Sequence, residues 1–388
     1  MPRFARFVTL SSVFLWTSFV ALAQTVISST PVSIQRLPRE GPAPLWSYSL
    51  PALNMQMPSI TATALAPNGR CVGVAGVGTV DVLDIEGKKL WSWEYGKLNK
   101  FIRAGGLAVS PACDEIALVG DSSYKYTWIV DRRGLRVPIQ TTRTPEGIAF
   151  SHDGQLVALG TAGCDLLLIR KSGELKWKKT YSQGFCIFGD LSFSPADKFI
   201  MMQAWSTGLI ALDGSTIWMG SGWGMAAAHD SQTFVVWSSP NHGPQVGSVT
   251  AFTADGKQLW NRVAPGNASA ISASGDKIAA PIYEPHDFSP EEWDEYQDQP
   301  VQLQIFSRAG EVLKTVPVES REVLAMPPDG GRLLVRVADA IEEVDTDGNV
   351  LMKIPQMGYS KVFVPDDFSG ALTWRRVAPS VIEWFPLK

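Results

Sequence analysis

The chain has 388 residues, 45% hydrophobic and 19% charged, which excludes a chain dominated by disorder or low complexity. A net charge of −4 excludes the broad basic field that draws nucleic acid. Fourteen tryptophans and 34 glycines suit an all-β chain with many turns and large packing aromatics.

Residues 1–23 carry the features of a secretory signal. Arg3 and Arg6 supply positive charge, Phe7 to Leu22 is mostly apolar, and Ala21-Leu22-Ala23 fits the small-x-small cleavage rule. The mature chain is expected to begin near Gln24. The rival reading is an uncleaved anchor, but Thr9, Ser11, Ser12, Thr17 and Ser18 interrupt a run already short for a membrane span. No cysteine follows the cleavage site, so a lipid anchor is not expected. Residues 24–43, rich in Ser, Thr and Pro, form an extended leader. The chain is therefore expected to be exported, periplasmic or extracellular, without a membrane span once cleaved.

"PLWSYSLP" (44–51) is a lone strand with Trp46 in it. A hairpin motif then recurs down the chain: "ALAPNGRCVGVAG" (64–76), "AVSPACDEIALVG" (108–120), "AFSHDGQLVALG" (149–160) and "SFSPADKFIMMQ" (192–203). It continues as "AAAHDSQTFVVWS" (226–238), "AISASGDKIAAPI" (270–282), "AMPPDGGRLLVRV" (325–337) and "VFVPDDFSGALTW" (362–374). Each is a strand of small residues, a polar turn and a β-rich strand. Turn markers at residues 67 and 365 bracket seven intervals of about 43 residues each, the period of a four-stranded propeller blade.

A second motif alternates with the first. It is a strand, an Asp/Gly turn and a strand led by tryptophan: "LDIEGKKLW" (83–91), "ALDGSTIW" (211–218), "FTADGKQLW" (252–260). The turn glycines are Gly87, Gly134, Gly173, Gly214, Gly256, Gly310 and Gly348. Each unit is thus a hairpin (strands A and B) followed by strands C and D. The eighth ends at "VIEWFPLK" with no strand D, and "PLWSYSLP" is a strand D without a blade. The expected fold is all-β: one propeller over 44–388 with eight four-stranded blades, closed by the N-terminal strand joining the last blade, with seven blades as the alternative. Closure removes free sheet edges. Trp46, Trp91, Trp177, Trp218 and Trp260 are expected to fill the gaps between blades, where blades 2, 6 and 7 must use other side chains.

A pattern close to L-D-x-x-x-G-x-x-L-W, which "LDIEGKKLW" fits well with one residue fewer before its glycine and "FTADGKQLW" and "ALDGSTIW" fit loosely, resembles the quinoprotein-type, or pyrroloquinoline-quinone-like, repeat family. The hairpin turns are similar to WD-type repeats. The resemblance covers 44–388 and implies the propeller fold. Family members include periplasmic quinone-dependent dehydrogenases and non-enzymatic cell-envelope scaffolds such as the outer-membrane assembly propeller. The dehydrogenases carry adjacent cysteines near the cofactor. This chain has no Cys-Cys pair, so no quinone site is carried over. "DGSTIW" also brushes against the sialidase aspartate box, but Asp213 and Gly214 are adjacent and the spacing fails.

In a propeller the A–B and C–D turns share one face, here the bottom, and the B–C turns and D–A crossings share the top. Cys71 and Cys113 fall on bottom turns of neighbouring blades, and Cys164 and Cys186 on top loops. Pairing 71–113 with 164–186 keeps each pair on one face, and four buried thiols is the other reading. The longest interruption, "EPHDFSPEEWDEYQDQP" (284–300), is a top loop with Glu284, Asp287, Glu291, Glu292, Trp293, Asp294, Glu295 and Asp298. It suits a basic partner or calcium, or it is a solvated charge run. His242 and His286 lie on adjacent top loops and with Asp287 are weak metal candidates.

Three residues before each A-strand motif the chain enters the ring at Thr61, Gly105, Glu146, Gly189, Trp223, Asn267, Glu322 and Tyr359. A structural position in a repeat keeps one residue type, and this one does not. Glu146, Trp223, Asn267, Glu322 and Tyr359 are therefore candidates for a ligand-binding top ring, with free drift of loop entries as the plain alternative. No convergent catalytic set is visible. The leading expectation is a monomeric, non-enzymatic scaffold binding a protein or cell-envelope component through its top loops. The alternatives are a quinone-dependent dehydrogenase or other propeller enzyme, and a small-ligand or glycan module at the central mouth. No cofactor is expected from the residues, with Ca and the quinone left open.

Overall fold

The computed structural model describes residues 42–50, 60–95, 106–120, 126–134, 136–181, 190–203, 206–238, 247–264, 268–283, 301–320, 322–338, 340–355, 360–375 and 380–387. Their regular structure is all β: 32 strands in eight four-stranded antiparallel sheets. Among them no helix is long and apolar enough to cross a membrane. The described residues fall within one unit, Arg39–Lys388.

Seven sheets take four consecutive strands each: residues 60–94, 107–140, 145–180, 190–221, 224–263, 270–316 and 322–355. The eighth orders Ser360–Phe363, Gly370–Arg375 and Val381–Pro386 inward to outward and takes its outermost strand from the front of the chain, Trp46–Tyr48. The register pairs Trp46 with Trp384, Ser47 with Glu383 and Tyr48 with Ile382. The Leu45 N–H adds a bond to the Trp384 carbonyl at 2.8 Å. The chain is an eight-bladed propeller closed by its own N-terminal strand.

One local rule builds six C–D turns among the described residues, and the Gly134 N–H makes the same glycine bond to the Asp131 carbonyl in the seventh. In blade 1 the Asp84 N–H bonds the Lys88 carbonyl at 2.9 Å and the Gly87 N–H bonds the Asp84 carbonyl at 3.1 Å. Gly87 is left-handed, φ +83°. This is a four-residue turn closed by a glycine bulge, which glycine enters at no steric cost. The glycine also faces the outermost strand of the preceding blade. A Cβ on Gly87 would stand 2.6 Å from the Trp46 ring, on Gly214 3.3 Å from Trp177, and on Gly310 2.6 Å from Trp260. The seam needs the bare backbone so that a large side chain can lie flat on it.

The five blade tryptophans all sit at seams. Trp46, Trp177 and Trp260 donate their indole N–H to Ile85, Leu212 and Arg308 carbonyls of the next blade, at 2.7, 2.8 and 3.2 Å. Trp91 donates to the Cys113 carbonyl at 2.7 Å. Trp218 and Trp260 also pack on Phe252 and Phe306 of the next blade, with ring centroids 4.9 and 5.1 Å apart. Blades without tryptophan use other means. Val137 presses on Gly173, Lys314 reaches across to ion-pair with Asp347, and Met352 packs with Phe368, Ala371 and Phe385.

The A–B turns on the bottom obey a second rule. Their left-handed position is glycine in four blades (Gly69, Gly154, Gly275, Gly330) and Cys113, Asp197, Ser231 or Phe368 in the others. A side chain there pays a left-handed penalty of roughly 1 kcal/mol. Each of the four links back to the preceding blade. Cys113 is disulfide-bonded to Cys71, Asp197 accepts from His152 and Asp153, and Ser231 Oγ accepts the Ala196 N–H at 3.0 Å. Phe368 takes the Arg332 guanidinium over its ring at 5.5 Å. The bottom of the ring is a chain of turn-to-turn fastenings.

Candidate functional site

The eight A strands converge on the axis and leave a channel of about 620 Å³. One position of every A strand is small: Ala64, Ala108, Ala149, Ala226, Ala270 and Ala325, with Ser192 and Val362 in blades 4 and 8. Eight strands meeting at one axis have little circumference to share. Larger side chains at this position would crowd the space that the small ones keep open.

Charge is placed at the two ends of this channel. At the top, Lys361 of blade 8 ion-pairs with Asp190 of blade 4, Nζ to Oδ1 3.1 Å. In an eight-membered ring these blades stand half a turn apart, so the pair spans the mouth. The Lys361 ammonium also lies 5.2 Å from the Phe363 ring centroid. At the bottom, His152 Nδ1 is 3.0 Å from Asp197 Oδ1, and its Nε2 is 3.9 Å from Asp366 Oδ2 of blade 8. Burial pushes the Asp197 carboxyl up. The hydrogen bonds from the His152 ring and the N–H groups of His152 and Asp153 outweigh it and hold the group below the ordinary aspartate value.

Trp237 on strand B of blade 5 also lines the channel. It pairs with Gly224 of strand A, where a Cβ would stand 2.2 Å from its ring. The missing side chain lets the indole fold inward to the axis. Beside it Trp223 is held by its N–H to the Trp237 carbonyl at 2.8 Å and is 43% exposed. Gly220, Gly222 and Gly224 around it are each pressed against a neighbour, by Trp218, Thr207 and Trp237 respectively.

Of the proposed top ring, the described members Glu146, Trp223 and Glu322 are not among the residues that line the channel. Thr61 is buried and bonds the Ala75 carbonyl of its own sheet at 3.2 Å. Glu146 is half-buried within Pro145–Phe150. Glu322 ion-pairs with Arg336, its cross-strand partner. The channel takes residues further along each strand. Asn267 and Tyr359 lie outside the described residues, as do His242, His286, the loop 284–300 with Asp287, and residues 1–41 with the signal and most of the leader. Among the described residues no group of three or more His, Cys, Asp or Glu is placed to hold a metal ion. The acidic stretch 345–349 is a turn: Asp345 Oδ1 accepts the Asp347 and Asn349 N–H groups at 2.9 and 2.8 Å. Cys71 and Cys113 are joined with Cα atoms 6.0 Å apart. Cys164 is disulfide-bonded too, and Cys186 lies outside the described residues.

The likeness to known structures is one of fold. BamB from Moraxella catarrhalis aligns at TM-score 0.58 and 14% identity, covering 88% of this chain and 97% of that one. Hydrazine synthase from Kuenenia stuttgartiensis aligns at TM-score 0.52 and 15% identity, covering 87% of this chain and 98% of that one. No family model matches the chain, and no curated protein matches it.

Proposed function

We propose that the protein is a non-enzymatic, exported propeller that holds a protein or cell-envelope partner on its top face. Trp223 carries this reading. It is the one exposed aromatic among the large exposed hydrophobics of the described residues, flanked by Gly222 and Gly224, which are packed closely against Thr207 and Trp237. A large, rigid, half-exposed indole is the typical anchor of a protein interface, because it supplies area at low entropic cost. The bottom, by contrast, is taken up by blade-to-blade fastenings. The disulfide between Cys71 and Cys113 supports an oxidising compartment, as the signal-like N-terminus does. The test is a photo-crosslinking residue at position 223, compared with one at the exposed bottom position 175, in cells making the full chain. A discrete adduct from 223 that is absent from 175, and weakened by Trp223→Ala in a chain labelled elsewhere on the top, is expected. Equal adducts from both positions, or none from 223, would overturn it.

A further inference from the structure

We propose that the top mouth of the channel is a binding site for a free α-amino acid with an apolar side chain. This inference is separate from the partner reading. Lys361 and Asp190 face each other across the mouth at 3.1 Å and are 42% and 56% exposed. An ion pair this wet contributes little, so parting it to admit a ligand costs little. What the ligand must do is then set by charge. A ligand seated in the mouth takes the water from both groups, so an anion alone pairs with Lys361 and strands a desolvated Asp190, and a cation alone strands Lys361. A zwitterion satisfies both, with its carboxylate on the ammonium and its ammonium on the carboxylate, and leaves no uncompensated charge.

The walls below this pair fix the rest of the ligand. Leu191, Met201, Met225 and Trp237 line the channel on the side of blades 4 and 5. They form an apolar wall of two pliable thioethers and an indole, which is suited to an aliphatic or aromatic side chain. Trp237 reaches this wall only because position 224 is glycine. The small ring at Ala226 and Ala270 leaves the space beneath it open.

Isothermal titration calorimetry of the full chain with L-leucine, leucinamide and N-acetylleucine tests the site. Leucine is expected to bind, and the two capped forms, each lacking one charge, to bind weaker by at least about tenfold. Lys361→Met and Asp190→Asn should each lose leucine by at least about tenfold, while Lys361→Arg keeps it. These side chains are exposed, so thermal unfolding of each variant checks that the ring persists. Absence of binding by leucine, equal binding of the capped forms, or a Lys361→Arg loss as large as that of Lys361→Met would overturn the proposal. An unaltered leucine isotherm in Lys361→Met would do the same.

Discussion

Asp197 stands in left-handed backbone at φ +51° in blade 4, and its carboxylate accepts the N–H groups of His152 and Asp153 of blade 3, each at 2.8 Å. The residue therefore trades backbone strain for an inter-blade fastening. Asp197→Gly removes the strain, roughly 1 kcal/mol, and strips two N–H groups of their acceptor, roughly 1–3 kcal/mol. The expected outcome is a net loss of about 0–2 kcal/mol in urea denaturation at neutral pH. The pH dependence has a definite sign. A depressed carboxyl contributes stability that is present above its unfolded value, about 3.9, and lost as pH falls through the lower folded value. Wild type should lose more stability than Asp197→Asn as pH drops below about 4.

The seam rule can be isolated with two glycines of like backbone. Gly87 and Gly134 have φ +83° and +78°, so alanine meets a similar left-handed penalty at both. They differ in what a Cβ would meet: the Trp46 ring at 2.6 Å for Gly87, and Trp93 at 3.8 Å for Gly134. Gly87→Ala should therefore cost more than Gly134→Ala by about 1–3 kcal/mol, the usual cost of overpacking. Equal midpoints for the two in guanidinium titration would show that the indole does not depend on the bare turn.

What was legible in the sequence follows from period. Eight copies of "small residue, polar turn, β strand" carry the blade count and the alanine ring at Ala64, Ala108 and Ala149, because every strand at the axis meets the same crowding. The unpaired tail and the lone "PLWSYSLP" carry the closure. Variability at the ring entrance has more than one physical source: Glu322 there has a private partner, Arg336, across its own hairpin. The pair Lys361–Asp190 joins residues 171 apart that no repeat relates, so only the ring brings them together. One signal was available and missed. Where Cys113, Asp197 and Ser231 displace glycine from a turn that prefers it, the side chain must have work to do.

The disulfide between Cys71 and Cys113 ties blades 1 and 2 across a separation of 42 residues. Loop-closure entropy for such a ring is about 4 kcal/mol. Because Cys164 is disulfide-bonded too, the comparison is wild type against Cys71→Ala with Cys113→Ala, and chemical denaturation of the two should differ by about 2–4 kcal/mol. Cys113 is left-handed, φ +60°, so the replacement matters. Cys71→Ala with Cys113→Gly should be more stable than Cys71→Ala with Cys113→Ala by about 1 kcal/mol, because glycine takes the turn without strain.

Alkali should open the ring where its tyrosines are held. Burial raises the Tyr48 hydroxyl, which donates to the buried Asp81 of blade 1 and so ties the closing strand to the first blade. Burial also pushes Tyr95 and Tyr181 up to about 12. A tyrosine whose folded value exceeds its unfolded value, about 10, stabilises fully below that value. The contribution is then lost as pH rises through the folded value. Stability measured by urea titration should hold to about pH 10 and fall between about pH 10 and 12. Tyr48→Phe should flatten that fall while lowering stability at pH 7, because Asp81 keeps Ser92 Oγ at 2.5 Å and Lys89 Nζ at 3.2 Å but loses the phenol. A fall of unchanged steepness in Tyr48→Phe, Tyr95→Phe and Tyr181→Phe alike would remove these hydroxyls as the cause.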